Sequence, residues 1–143
     1  MDWANLFLRF GGRIGRKQFW IGSAIIIAIA ASYEFLFNFL DERWLTGIAD
    51  LVVLYPDYAV VFKRAHDREM PIWIPTLSLV LSVLVAIVAT LGLDGPYDNP
   101  TPLYWATMLP LLAVALYLIV DLGFFRGVGG PNRYGPDPLE RHM

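Results

Sequence analysis

Arg13 and Arg16 stand three residues apart in GGRIGRKQFW (Gly11–Trp20), and Lys17 follows directly. Residues three apart share a face where a helix begins. Two planar guanidiniums on one face suit the oxygens of a phosphate or carboxylate. A second basic group, Arg64, His66 and Arg68, lies in YPDYAVVFKRAHDREMPIW (Tyr55–Trp73). A third stretch, GVGGPNRYGPDP (Gly127–Pro138), brings Asn132, Arg133 and Tyr134. If the three meet, their guanidiniums and one imidazole surround a small pocket that Trp73 and Tyr134 close. Basic pockets between helix ends hold anionic lipid headgroups, so such a headgroup is the first candidate ligand. The competing reading is an internal network of Arg64 with Asp57, Arg16 with Asp67, and Arg126 with Asp121.

Little else in the chain suggests catalysis. There is no cysteine, so thiolate chemistry and disulfides are excluded. His66-Asp67 is the one histidine–carboxylate pair, and sequence neighbours rarely orient each other. A metal site wants more ligands than these, and the second histidine, His142, lies in the tail. Neither a G-x-S-x-G nor a P-loop is present. No catalytic residue, metal or cofactor is assigned. A lipid-modifying enzyme with His66 as base stays as an alternative.

A different set of candidates is acidic. Glu34, Asp50, Asp57 and Asp121 fall in or beside apolar runs, where an ionised side chain costs a few kcal/mol. Ala30, Glu34 and Asn38 repeat every four residues, Asp50, Asp57 and Arg64 every seven. Tyr117 and Asp121 are one turn apart. Ser78, Ser82, Ala86 and Thr90 form a small-residue stripe of the kind that lets helices approach. These stripes are expected to face one another inside a bundle. Read functionally, Glu34, Asp50 and Asp57 belong to a proton- or ion-conducting subunit. Read structurally, they are a satisfied polar core, with Asp57 and Asp121 bridged to Arg64 and Arg126.

The elements that must position these groups are apolar helices. The 143 residues are 57% hydrophobic and 17% charged, against about 25% charged in soluble domains. Mean hydropathy is +0.51. Runs at 19–40, 45–62, 72–93 and 103–120 approach the roughly 20 residues that cross a bilayer core. The second is interrupted by Asp50, Pro56 and Asp57, and the fourth carries Pro110, which predicts a kink. The first is too long and too late to be a cleaved leader. Trp3, Leu6, Phe7 and Phe10 share one helical face. They predict a short amphipathic helix over 2–10 that lies on the membrane or packs on the protein's own helices. Gly11-Gly12 would end it.

Four crossings put ten of the eleven lysines and arginines on one side, leaving Arg43 on the other. The positive-inside rule then places both termini and the middle loop in the cytoplasm. Short acidic loops, Asp41-Glu42-Arg43 and Asp94–Asp98, face outward. The expected fold is all-α and polytopic: one membrane domain over 1–143, with an irregular cytoplasmic tail over 126–143. Seven of the twelve residues in Gly127–Pro138 are Gly or Pro, which excludes helix. Asn132, Arg133 and Tyr134 give that stretch side chains that can dock, and residues 139–143 are expected to fray.

The three basic stretches together resemble the domain of unknown function 805 family of small bacterial inner-membrane proteins. Gly12, Arg13, Arg16, Phe19 and Trp20 match its entry to the first span. Tyr55, Pro56, Arg64, His66, Asp67 and Trp73 match its central motif, with Lys63, Ala65 and Pro71-Ile72 as departures. Asn132, Tyr134, Gly135 and Pro138 match its tail. The resemblance implies inner-membrane location and this topology, and it brings no activity. The reading it leaves is a binding or organising module. Its expected partners are anionic membrane lipids, and a membrane protein or a second copy of the chain. Nothing suggests a nucleic-acid module.

Overall fold

The computed structural model describes residues 2–40, 43–96 and 98–139, without the Arg43 side chain. The expected outward acids Asp41 and Glu42, with Tyr97 and the fraying end 140–143, lie outside the described residues. Five helices follow in order: α1 (Trp3–Leu8), α2 (Arg16–Phe39), α3 (Arg43–Asp67), α4 (Trp73–Thr90) and α5 (Pro102–Phe124). The last four are long and apolar enough to cross a membrane. Among the described residues the one extended pairing is an isolated bridge, Asn132 with Gly135.

The helices begin where their caps stand. The Asp2 carboxylate accepts the Asn5 amide (3.0 Å), and Thr101 Oγ1 accepts that of Tyr104 (3.2 Å) ahead of Pro102. Each satisfies one of the first-turn amides that a helix leaves unpaired. α2 starts at Arg16, three residues earlier than its apolar run, so Arg16 and Lys17 lie in its first turn. α3 differs most from expectation, running to Asp67 rather than residue 62. Its last turn is held by partners on other elements, not by apolar periodicity. It closes with Glu69 in the left-handed region (φ 51°), while the Met70 amide returns to the Ala65 carbonyl (3.0 Å). Pro56 and Pro110 are both accommodated inside their helices.

α2 packs on α3, α3 on α4, α4 on α5, and α1 lies against α3. α5 meets α2 where the Trp20 indole N–H donates to the Gly123 carbonyl (3.1 Å). A Cβ on Gly123 would lie 2.6 Å from that indole, so only glycine permits the approach. The buried cluster joins Leu6, Ile14, Phe19, Val60, Ala65, Met70, Leu118 and Leu122. These come from α1 (Leu6), the start of α2 and the ends of α3 and α5, with Ile14 just before α2 and Met70 just after α3. The tightest packing therefore sits at one end of the bundle, called here the basic end. At the opposite end Phe35 and Phe39 of α2 are 77% and 79% exposed.

The amphipathic face of α1 is divided. Leu6 is buried against α3, whereas Trp3 is half exposed. Lys63, fully buried, donates from Nζ to the carbonyls of Asn5 and of Leu6 (2.6 Å for the latter). Tyr55 Oη donates to the Leu8 carbonyl (3.0 Å). Two α3 side chains thus satisfy carbonyls that α1 cannot satisfy itself.

Candidate functional site

Asp67, at the end of α3, is the hub of the basic end. Arg13 Nε donates to Asp67 Oδ1 (3.0 Å), and Arg64 Nη1 donates to Oδ2. The side chains of Arg13 and Arg64 are each 1% exposed. Their remaining donors meet backbone carbonyls. Arg13 reaches Val128 (2.5 Å), Gly130 (2.7 Å) and Gly135 (3.3 Å) of the tail. Arg64 reaches Leu122 (2.7 Å) and Phe125 (2.6 Å). Arg16 donates to Phe124 (3.2 Å). The last carbonyls of α5, unpaired within their own helix and at the negative end of its dipole, are capped by cations from α2 and α3.

The tail follows α5 as a docked strap. The Val128 amide donates to the Asp67 carbonyl (2.9 Å). A Cβ on Gly127 would fall 2.0 Å from Asp67 Oδ2, so the strap passes there only as glycine. Asn132 Nδ2 donates to the His66 carbonyl (3.0 Å), and its Oδ1 accepts the Tyr134 amide (2.8 Å). The Tyr134 ring stacks on His66 at 3.8 Å, and the Arg133 guanidinium lies 4.7 Å over that tyrosine. His66 Nδ1–H donates to the Gly12 carbonyl (3.2 Å). Arg68 forms a separate fork on Asp121 (2.9 and 3.2 Å) and donates to the Arg126 carbonyl (2.5 Å). That carboxylate raises the Arg68 guanidinium above its ordinary value.

Between the first turn of α2 and the strap lies a cavity of about 590 Å³. Arg16, Lys17 and Arg126, all exposed, line it, with Arg64 and Asp67 also contributing. Ile21 and Leu139 give it apolar wall. Gln18 Oε1 accepts the Gly15 amide (3.1 Å), but glycine has no side chain to cap the amides that follow. The positive end of the α2 dipole is therefore left to the cavity. Asp137 lines it as well, 7% exposed, accepting the amides of Leu139 (2.9 Å) and Gly130 (3.0 Å). Those amides, the Leu139 one first, with Arg13 and Arg126 nearby, hold its carboxyl below the usual range.

The three basic stretches meet, but the pairing differs from that expected. Asp67 takes Arg13 and Arg64 rather than Arg16, and Asp121 takes Arg68 rather than Arg126. Arg64 and Asp57 are seven residues apart, about 10.5 Å along the helix, whereas Asp67 is one turn from Arg64. That turn exists because α3 continues beyond residue 62. Trp73 does not close the cavity; it begins α4 and is 63% exposed. Arg133 is exposed, and His66, Asn132 and Tyr134 serve to dock the strap. Sequence reasoning missed Lys17, Lys63, Arg126 and Asp137 as site residues. The signal available was Lys17 beside Arg16, one helical turn before the apolar Ile21.

The expected polar stripes do not all face one another inside the bundle. Asp50 accepts the Tyr33 hydroxyl (2.5 Å), and Asp57 is half-buried. Glu34 and Asn38 lie on the exposed side of α2, because Tyr33 rather than Glu34 turns toward α3. On α4, Ser78 and Ser82 both bond the Tyr58 hydroxyl (2.6 and 3.1 Å). Thr90 packs so closely on Gly47 that a Cβ there would overlap it. Among the described residues no three His, Asp or Glu side chains converge on a metal-sized site.

Residues 7–136 match the family model described as "Protein of unknown function (DUF805)". The uncharacterised protein YiiR of Escherichia coli (strain K12) is 35% identical over 140 residues, covering 90% of this chain and 84% of YiiR. The inner membrane protein YhaH of the same strain is 25% identical over 152 residues, covering 96% and 97% respectively. No solved structure matches the chain.

Proposed function

The chain belongs to the DUF805 family, and from that premise we propose that it is a non-enzymatic module of the bacterial inner membrane that holds an anionic phospholipid headgroup. The name of YhaH supports that location. The excess of Lys and Arg at the basic end supports placing it, with both termini, in the cytoplasm. α1 then lies at the inner leaflet, with Leu6 on the protein and Trp3 toward lipid.

One observation carries the reading. Arg13, Arg64 and Arg68 are occupied with carboxylates and carbonyls, yet Arg16, Lys17 and Arg126 remain exposed around a cavity. Arg16 spends one donor on the Phe124 carbonyl; its remaining donors, with Lys17 and Arg126, hold positive charge beyond what the fold uses. Ile21, one turn deeper on α2 than Lys17, gives an acyl chain a way out toward the bilayer.

Native mass spectrometry on protein released from its own membrane tests this. Wild type is expected to retain an anionic phospholipid. A cation near the membrane surface contributes about 1 kcal/mol toward anionic lipid. The Lys17→Ala/Arg126→Ala variant, which leaves the Arg16 cap of α5 in place, should therefore hold it roughly 30-fold more weakly, with thermal unfolding little changed. Wild type that retains no lipid overturns the reading. So does proton-driven flux in proteoliposomes that Asp50→Asn abolishes, which would return function to the intramembrane acids.

A further inference from the structure

The cavity that Arg16, Lys17 and Arg126 surround is not uniformly basic. Asp137 is nine-tenths covered and reaches the same space from the strap. A carboxylate has about four acceptor positions, and the amides of Leu139 and Gly130 use two. Two remain for a donor. At 590 Å³ the cavity is within the range of about 300–1,000 Å³ typical of ligand pockets, with space for more than a phosphate group.

Resting on the lipid-binding reading above, we infer that Asp137 selects the headgroup: a singly charged phosphodiester whose second alcohol carries free hydroxyls, as in a phosphatidylglycerol. Its phosphate meets Arg16, Lys17 and Arg126, and a glycerol hydroxyl donates to Asp137. A phosphate monoester such as phosphatidic acid offers no such hydroxyl and turns additional negative charge toward the carboxylate, which like charges disfavour. A zwitterionic headgroup could pair an ammonium with Asp137 but brings no net charge to a cavity lined by four cations and two acids. The Leu139 and Gly130 amides keep that acid ionised at neutral pH.

The experiment is competition in nanodiscs of phosphatidylcholine containing equal parts phosphatidylglycerol and phosphatidic acid with matched chains, read by native mass spectrometry. Wild type is expected to retain phosphatidylglycerol over phosphatidic acid by about tenfold. Asp137→Asn should bring the ratio near one without loss of total anionic lipid. Exchange of the Val128 amide reports whether the strap stays docked in that variant. Equal retention of the two lipids by wild type overturns this inference and leaves the lipid-binding reading standing, whereas retention of neither removes both. If the strap undocks in the variant, the wild-type ratio alone decides. Glycerophosphoglycerol, the same headgroup without chains, should compete at least 10²-fold less well than the lipid. Equal competition would overturn the membrane as the source.

Discussion

Asp67 faces two buried guanidiniums at once, and among the described residues neither has a second carboxylate. Breaking a buried pair by removing one partner costs about 3–5 kcal/mol, because the charge left behind stays desolvated. Asp67→Asn is expected to destabilise by that order, read as a fall in the unfolding midpoint in detergent. Asp121→Asn removes a partner whose pair is 24% and 18% exposed, and should cost closer to 1 kcal/mol. Equal losses would contradict the hub. Gly127→Ala should resemble Asp67→Asn, since its methyl group would displace that carboxylate. At this scale residue type was legible in the sequence and pairing was not. Arg13 and Arg64 could be recognised as belonging to one site. Which acid each would meet depended on five residues of helix beyond the apolar run of α3.

That extra length shows what periodicity can report about elements. The apolar pattern of α3 stops at Phe62, yet the helix proceeds through Lys63, Arg64 and Asp67 because each finds partners on another element. A tertiary partner leaves no mark in local hydropathy. The four long apolar helices were legible because their apolar runs are local. The docking of α1 was not, since it turns on Lys63, a cation that looks like a surface anchor. Lys63→Met keeps the apolar stem and removes the donor. The loss of charge-assisted bonds worth about 1.5–3 kcal/mol should speed hydrogen exchange of the Leu6 amide at least tenfold, with amides in the middle of α4 unchanged. Unchanged exchange in α1 would mean that apolar packing alone holds it.

Across the described residues the packing is uneven, close at the basic end and open at the other, where large aromatics are left exposed. The chain has no cysteine, so single cysteines report topology without background. Gly129→Cys has open space around its Cβ, and position 98 is exposed. With the basic end inside, a membrane-impermeant maleimide should label Asp98→Cys in intact spheroplasts and Gly129→Cys only after lysis. The reverse pattern would invert the protein. That four helices are long and apolar enough to cross a membrane was legible from composition, and their expected orientation came from counting charge. The uneven packing was not legible, because lipid-facing and protein-facing surfaces are both apolar and hydropathy does not distinguish them.

Arg13 is synthesised 115 residues before the Val128 carbonyl that receives it. At about 5–20 residues per second, a nascent chain waits roughly 6–23 s before that guanidinium, already within reach of Asp67, can meet the strap. A ribosome that stopped at Phe125 would release all four spans without the strap. The strap contacts of Arg13 are thus the last of its contacts that can form. Arrival of the strap gives Arg13 the Val128, Gly130 and Gly135 carbonyls, whereas Arg64 already has those of Leu122 and Phe125.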